Sequence, residues 1–395
     1  MNYILFDDSS RNNLLPLTFM RPVADIRIGI FTIREKWEKY LGVETSTITE
    51  PYLAKKYPIK QSDNNILING SVCPSEDMVA AVKALKKNET LSTDSYIIAM
   101  NMGDDIFGET EAVDANDTNT IIFKGEHIKL SNTYDIFSKN GEAIKHDFEL
   151  ITKGRKSQKL SDTNRVLGAE NIFVEEGAVV EFAVLNAKKG PIYIGKNSEI
   201  MENSVIRGPF SLGEHAVVKM AAKIYGPTTI GPWSKVGGEV NNSVLFAHSN
   251  KAHDGFLGQS VIGEWCNLGS DTNTSNLKNT YEPVRLWNYP QSSFLNTGLT
   301  FCGLIMGDHS KCGINTMFNT GTVVGVNCNI FGSGFQRNYI PSFRWGGTGK
   351  QSTFDITKAI KVATIVYGRR EKDFDSTEQD ILKAVFDLTI QNSSY

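Results

Sequence analysis

The stretch IGKNSEIMENSVIRGPFSLGEHAVVKMAAKIYGPTTIGPWSKV, residues 194–236, decides the fold. Stepping by six from Ile194 lands on Ile200, Ile206, Leu212, Val218, Ile224, Ile230 and Val236, every one aliphatic. Stepping by eighteen finds a glycine after the landing each time, at Gly177, Gly195, Gly213 and Gly231. Neither a helical period nor the two-residue alternation of a strand gives this beat. A triangular prism does: three short strands make one coil, and one aliphatic per strand points inward onto its counterpart in the next coil. The glycine then fits a corner where a side chain is unwelcome and a positive φ is cheap. The reading is a parallel β-helix built on hexapeptides. A sandwich of short strands is the alternative, but its turns do not keep a six-residue beat this long.

Working outward, Ile262-Gly263 and Leu268-Gly269 restart the pattern, and Met306-Gly307, Cys312-Gly313, Phe318, Val324-Gly325 and Ile330 continue it. Between them Asp271 to Thr300, with Pro283 and Pro290, reads as a corner insertion, the usual place for a functional loop. Before the coil, Tyr3–Phe6, Ile66–Gly70, Tyr96–Met100 and Thr120–Phe123 read as strands. Ile28–Tyr40, Ser75–Leu85 and Thr133–Thr152 read as helices. That alternation predicts an α/β domain with a largely parallel sheet. Ligands bind such sheets at the carboxyl ends of strands, which points to the Asp7–Thr18 loop and the turn after Asn69-Gly70. Arg27, Arg34 and Lys36 read as solvated charges on a helix. The basic stretch Lys153–Asp162 reads as a linker, giving three segments: 1–160, 161–336 and 337–395. The last opens with a Gly- and aromatic-rich loop over residues 337–352. It ends in helices at Thr357–Tyr367 and Ser376–Leu388 that cover the final coil, the second with capping-box spacing at Ser376 and Gln379.

With 395 residues there is chain for more than one core, and a net charge of −3 argues against a general polyanion binder. The five cysteines show no CxxC or disulfide-dense spacing; Cys266, Cys312 and Cys328 read as small buried hydrophobes of the coil. No secretory or membrane-length apolar run is present, and a soluble cytoplasmic protein is expected.

The string from Leu15 to Ile30, Leu-Pro-Leu-Thr-Phe-Met-Arg-Pro-Val-Ala-Asp-Ile-Arg-Ile-Gly-Ile, ahead of a hexapeptide coil, resembles a known arrangement. It looks like the sugar-nucleotide pyrophosphorylases with acyltransferase tails, nearest to the bifunctional GlmU-type enzymes of UDP-N-acetylglucosamine synthesis in their Bacteroidetes-like form. The block Lys251-Ala252-His253, Phe256-Leu257-Gly258, Ile262-Gly263, Asn267-Leu268-Gly269 resembles that family's acetyltransferase motif. The resemblance implies a nucleotidyltransferase-like α/β domain on a left-handed β-helix and a homotrimer. It also implies acetyl-CoA as cosubstrate, with UTP and a sugar 1-phosphate as partners.

It further implies that His253 is the catalytic base. A neutral imidazole suits removal of a proton from an amine attacking a thioester. Lys223, Asn241, Phe256 and Asn267 fall at or near acceptor-binding positions. Phe256 replaces a tyrosine and Asn241 a lysine, so one phenol hydrogen bond is missing and the sugar-phosphate contacts differ. His248 competes with His253 for the base. His215 reads as structural, and His309 as a weak cofactor-contact candidate. In the N-terminal half the family's glycine-rich phosphate loop is replaced by Phe6-Asp7-Asp8-Ser9-Ser10-Arg11-Asn12-Asn13-Leu14. Arg11 and Arg21 are the candidates to neutralise a triphosphate, with Mg2+ assisting in-line transfer. The sequence does not choose its ligands among Asp7, Asp8, Asp104 and Asp105. Two further readings stand beside a two-site enzyme. One is a pyrophosphorylase with a structural tail, the other a non-catalytic assembly protein. The insertion, with Trp287 and Tyr289, is expected to reach over a neighbouring chain's cleft or to be a disordered corner loop.

Overall fold

The computed structural model describes residues 1–104, 119–349 and 351–390; Asp105 lies outside them. From Arg165 onward the chain winds into a three-sided parallel β-helix, whose described faces hold six, nine and ten strands. Successive strands of the nine-stranded face, Ile192–Ile194, Phe210–Leu212 and Thr228–Ile230, pair at the eighteen-residue step. Every aliphatic landing from Ile194 to Val236 is at most 1% exposed. Each such side chain contributes roughly 1.5–3 kcal/mol on burial. The pattern falters after Val236 for two reasons. The coil shortens, so Thr229 pairs with Val244. The inward place opposite Val236 is then taken by Lys251, whose ammonium donates to the carbonyls of His253 and Asp254.

The glycines do one of the two jobs expected of them. A Cβ on Gly195 would lie 2.7 Å from the Leu212 carbonyl oxygen, and one on Gly213 2.6 Å from the Pro232 nitrogen. The positive φ falls two residues later, on Asn197, His215, Trp233, His248, Trp265, His309 and Asn327. A non-glycine residue there costs roughly 1–2 kcal/mol. Along this corner the cost is offset by stacking. His215 lies 4.1 Å from Trp233 and His248 4.0 Å from Trp265, centroid to centroid.

The N-terminal sheet runs Ser46–Ile48, Asn2–Phe6, Asn65–Asn69, Ile97–Gly103, Glu89–Ser92, Asn119–Ile122. Its first three strands are parallel, but Ile97–Gly103 is antiparallel to both neighbours, so the sheet is mixed. The first long helix starts late, at Ile33, behind a capping box on Thr32 and Glu35, because Arg27–Ile28 and Phe31–Thr32 form a small hairpin. Arg27 and Lys36 are buried, not solvated. Lys36 pairs with Asp147, which also accepts the Ile30 N–H at 2.7 Å. Arg34 pairs with Asp25 at 2.7 Å.

This domain lies directly on the nine-stranded face. The outward residues of that face change from Tyr193, Ser211 and Thr229 to Val244, Val261, Ile305 and Val323. Thr229 hydrogen-bonds the Gly29 carbonyl at 2.8 Å. The later residues join Leu14, Leu17, Trp37 and Ile136 in one apolar core. Such strands are apolar on both faces, the pattern of a sheet covered on both sides.

The insertion folds as a hairpin, Arg285–Asn288 with Ser293–Asn296. It packs between this chain's own N-terminal domain and the coil, with Asn288 donating to Asn13 at 3.1 Å and Trp287 stacked on Tyr339 of the coil at 4.1 Å. It is therefore not a disordered corner loop. Coil pairing continues past residue 336 through Tyr339–Ile340 and Arg344–Gly346, and Gln351–Thr353 then closes the edge antiparallel. The helices Ile356–Gly368 and Ser376–Ile390 stand along the stacked corner rather than across the coil's end. They join Trp265, Val326 and Phe343 to Phe19, Met20 and Leu53 of the N-terminal domain. The second is capped by Asp375, which accepts the Glu378 N–H at 2.9 Å, one residue before the expected Ser376.

Candidate functional site

The loop after Asn2–Phe6 and the turn after Asn65–Asn69 converge, as the carboxyl ends of adjacent parallel strands must. Asp8 stands at the centre. One carboxylate oxygen accepts the Ser10 N–H at 3.0 Å and the Ser10 hydroxyl. The other accepts Lys129 Nζ at 2.6 Å and Asn69 Nδ2 at 3.0 Å. Lys129 also donates to Ser71 Oγ at 2.6 Å and lies 4.9 Å over the Tyr96 ring. The Tyr96 hydroxyl meets His127 Nε2. Asn69 is held by the Ile97 carbonyl and by Ser71, so strand ends fix the whole set. Burial works to raise the Asp8 carboxyl, but the Lys129 charge and the bonds from Lys129, Ser10 and Asn69 leave it below its ordinary range. Asp8 and Lys129 side chains remain 16% and 14% exposed, open enough for a ligand to reach. An ammonium beside polar donors at strand ends can hold a phosphate.

Lys129, Ser71 and Tyr96 were not anticipated. Lys129 belongs to no motif and reaches the site through a single bridge to Val72. The turn after Asn69-Gly70 was the available signal.

Arg11 and Arg21 are placed elsewhere. Arg11 is buried against Asp7 at 2.9 Å and donates to the carbonyls of Thr18 and Arg21. Arg21 is buried between domains, 2.9 Å from Asp308 and 3.2 Å from Glu264, with its guanidinium 5.2 Å over Phe246. Both guanidinium groups hold the fold together, and neither faces the Asp8–Lys129 cluster through any of these contacts. Asp7 accepts from Arg11, Thr49 and the Val23 N–H, and Asp104 pairs with Lys87. Among the described residues no group of three or more candidate metal ligands gathers. Asp8 is already committed to Lys129.

On the coil, Lys223 and Phe256 flank Glu239 across the six-stranded face, and Asn241 lies on the same face. Asn267 lies on the ten-stranded face, paired with Asn250. His253 occupies the corner between these faces; it is exposed, and its imidazole forms no hydrogen bond among the described residues. His248 bounds the other edge of the ten-stranded face in the same coil. His215, His248 and His309 are all rungs of the stacked corner. His309 is 3% exposed, and burial keeps its imidazole well below its usual basicity.

Two cavities lie away from these residues. One of about 470 Å3 sits against the first coil, lined by Lys159, Asp162 and Glu181 among others. One of about 70 Å3 lies under the hairpin, beside Asn13, Thr133 and Trp287.

Residues 3–156 match the family model described as sugar nucleotidyl transferase. No curated protein matches the chain. Among solved structures, an Arabidopsis UDP-N-acetylglucosamine acyltransferase is 14% identical over 60% of this chain and 85% of its own, with a TM-score of 0.22. A UDP-N-acetylglucosamine acyltransferase from Campylobacter jejuni is 16% identical over 60% and 92%, with a TM-score of 0.24. A hexapeptide transferase family protein from Anaplasma phagocytophilum is 12% identical over 58% and 91%, with a TM-score of 0.14. Similarities at this level add nothing to the assignment of chemistry. No helix of the described residues is long and apolar enough to cross a membrane.

Proposed function

We propose that the N-terminal domain transfers a nucleotidyl group to a sugar 1-phosphate at the Asp8–Lys129 cluster, with UTP and N-acetylglucosamine 1-phosphate as the substrates to try first. The observation that carries this is the Lys129 ammonium, held by Asp8 and Ser71 at the carboxyl ends of parallel strands, inside the segment that matches the nucleotidyl transferase model. In the reaction a sugar-phosphate oxygen attacks the α-phosphorus of the nucleotide. The bond to the β-phosphate oxygen breaks, and pyrophosphate leaves. Lys129 offsets the charge that gathers on the phosphoryl oxygens, an electrostatic role that needs no covalent step. Asp8 and Ser71 position the ammonium. Magnesium chelated by the nucleotide's own phosphates needs few protein ligands, and no step here depends on a protein-held ion. Pyrophosphate release from UTP plus the sugar phosphate tests the reading. Lys129→Ala is expected to lower kcat/KM by at least about 100-fold, in the range for loss of one charge-stabilising group. No turnover by the wild type across a panel of nucleotides and sugar phosphates would overturn it.

A second activity is supported by the free imidazole at the His253 corner. In this reading the amine of glucosamine 1-phosphate attacks the thioester carbonyl of acetyl-CoA. The C–S bond breaks, and the amine proton passes through His253 to the departing thiolate. Assembly as a homotrimer belongs to the same reading, since two faces of the prism remain uncovered by the N-terminal domain.

A further inference from the structure

The coil does not need the insertion it carries between Asp271 and Thr300. Its strands pair across that segment as though it were absent, Val261 with Ile305 and Asn267 with Lys311. The hairpin is held instead against the N-terminal domain. Asn288 donates to Asn13 at 3.1 Å, and Leu286 joins the apolar core that the domain shares with the coil. Between the two lies the cavity of about 70 Å3. Asn13 and the run Asn132-Thr133-Tyr134 line one side, and both strands of the hairpin line the other. The space suits roughly five waters, or a single small ring.

No charged side chain lines this cavity. Its polar groups are amides and hydroxyls, and several have bonding capacity to spare. The side chains of Asn132, Thr133 and Tyr134 make no hydrogen bond among the described residues, and none of the three is sealed from solvent. Asn296, exposed on the hairpin, uses its oxygen to accept the Gly298 N–H at 2.9 Å and leaves its amide nitrogen open. Leu286 and Trp287 supply the apolar part of the lining, the Trp287 ring fixed by Tyr339 at 4.1 Å. A phosphate or carboxylate finds no counter-charge here. A purely apolar ligand would leave the amides and hydroxyls unpaired. A neutral ring bearing several hydroxyls answers both parts, because amides and hydroxyls donate as well as accept.

Neither Asp8 nor Lys129 lines the cavity, but both chain segments that leave this pair lead to it. Asn132 follows Lys129 by three residues, at most about 11 Å from Cα to Cα. Asp8 reaches Asn13 through the short helix Ser10–Asn13. We propose that the cavity takes the sugar ring of the sugar 1-phosphate whose phosphate meets Lys129, so that the coil's hairpin sets which sugar the N-terminal domain accepts. The inference takes its phosphate anchor from the reaction assigned to the Asp8–Lys129 cluster. It adds a specificity-determining wall supplied by the other domain. Asn132, Thr133 and Tyr134 hold ring hydroxyls from one side, and Asn296 holds them from the other.

The test is calorimetric titration of the full chain with N-acetylglucosamine 1-phosphate, glucose 1-phosphate, galactose 1-phosphate and inorganic phosphate. The same sugar phosphates are then run as substrates with UTP. One of them is expected to bind at least tenfold more tightly than inorganic phosphate. Asn132→Ala, Thr133→Val, Tyr134→Phe and Asn296→Ala are each expected to weaken it about three- to tenfold, the range for one lost hydrogen bond between neutral groups. KM for UTP and the affinity for inorganic phosphate should stay within twofold. Thr133→Val and Tyr134→Phe keep the shape of the side chain, so an unchanged Tm is expected and separates a lost contact from a damaged fold. The proposal is overturned if no sugar phosphate binds more tightly than inorganic phosphate. It is also overturned if all four variants leave sugar-phosphate affinity and the order of preference among the sugars within twofold of wild type. Binding that follows these expectations without turnover would remove the assigned reaction and keep the sugar site; turnover untouched by the four variants would do the reverse.

Discussion

Arg21→Met tests how the domains are joined. The Arg21 guanidinium lies 2.9 Å from an Asp308 carboxylate whose side chain is 1% exposed. At that separation and an effective dielectric of about 20 the attraction is roughly 6 kcal/mol before desolvation. Glu264, 3.2 Å away but with a 34% exposed side chain, adds less because water screens it. Desolvation of both partners offsets most of the attraction, so the pair itself contributes little net stability. Removing one partner is different. It strands Asp308 in the interior, where Oδ2 already lacks a hydrogen bond, and costs about 3–5 kcal/mol. In a chain of this size that is a Tm drop of roughly 4–6 °C. The loss also depends on pH. Burial pushes the Asp308 carboxyl above its ordinary value even with Arg21 present. Without the guanidinium it rises further, and the folded variant takes up a proton that the unfolded chain holds only near its ordinary carboxyl pKa. The deficit relative to wild type should therefore grow as pH rises from 5.5 to 8, because protonation relieves the stranded charge only at the lower pH. Arg21→Met/Asp308→Leu should recover much of the loss. Scanning calorimetry at both pH values measures it. A deficit below about 1 kcal/mol at pH 8, or one indifferent to pH, refutes the reasoning.

Other outcomes follow from the same structure. His253→Ala should lower acetyl transfer to glucosamine 1-phosphate by about 100-fold or more while leaving Tm unchanged, since Lys251 grips the peptide and not the ring; equal thiol release by wild type and variant would remove the second activity. Burial lowers the His248 imidazole to about 4 and His309 well below its ordinary value. Their contribution to stability is therefore complete above about 6.5 and is lost as pH falls toward 4, where the unfolded chain takes protons the folded one refuses. His248 is faced by Glu264, Lys372 and Arg370; His248→Phe, which keeps a ring in the stack, should flatten part of the acid loss of Tm. Gly195→Ala should cost about 1–3 kcal/mol by forcing a methyl against the Leu212 carbonyl. Gly368→Ala, with open space around it, should be neutral or stabilising by thermal melt.

The coil was legible because its inward side chains obey a fixed period, and a period survives without knowledge of what lies outside. It became illegible at Lys251, where an ammonium sits at an inward position and satisfies two carbonyls. A pattern of apolar residues cannot represent a charge buried with its partners. The strand at Ile97–Gly103 was legible but its antiparallel direction was not, since strand direction is set by pairing across the sheet and not by local composition. Asp8 was within reach because strand ends collect ligands. Lys129 was not: it lies 121 residues away in sequence and meets Asp8 only through the fold. Arg11 and Arg21 looked like phosphate ligands because they flank a polar loop, and only the three-dimensional arrangement assigns them Asp7 and Asp308. The doubly apolar strands at Val244-Leu245 and Val261-Ile262 did carry a signal, that of a sheet covered on both sides, and it marked where the N-terminal domain rests.

That covering has a practical consequence for anyone dissecting the protein. A fragment trimmed to the coil and its C-terminal helices would put Val244, Phe246, Val261, Ile305 and Val323 in contact with solvent in a continuous greasy stripe. Such a fragment should precipitate or dimerise through the stripe, and its failure to behave would say nothing about the acyl chemistry. Replacing those residues with threonine and lysine before purification would give the isolated rod a fair trial.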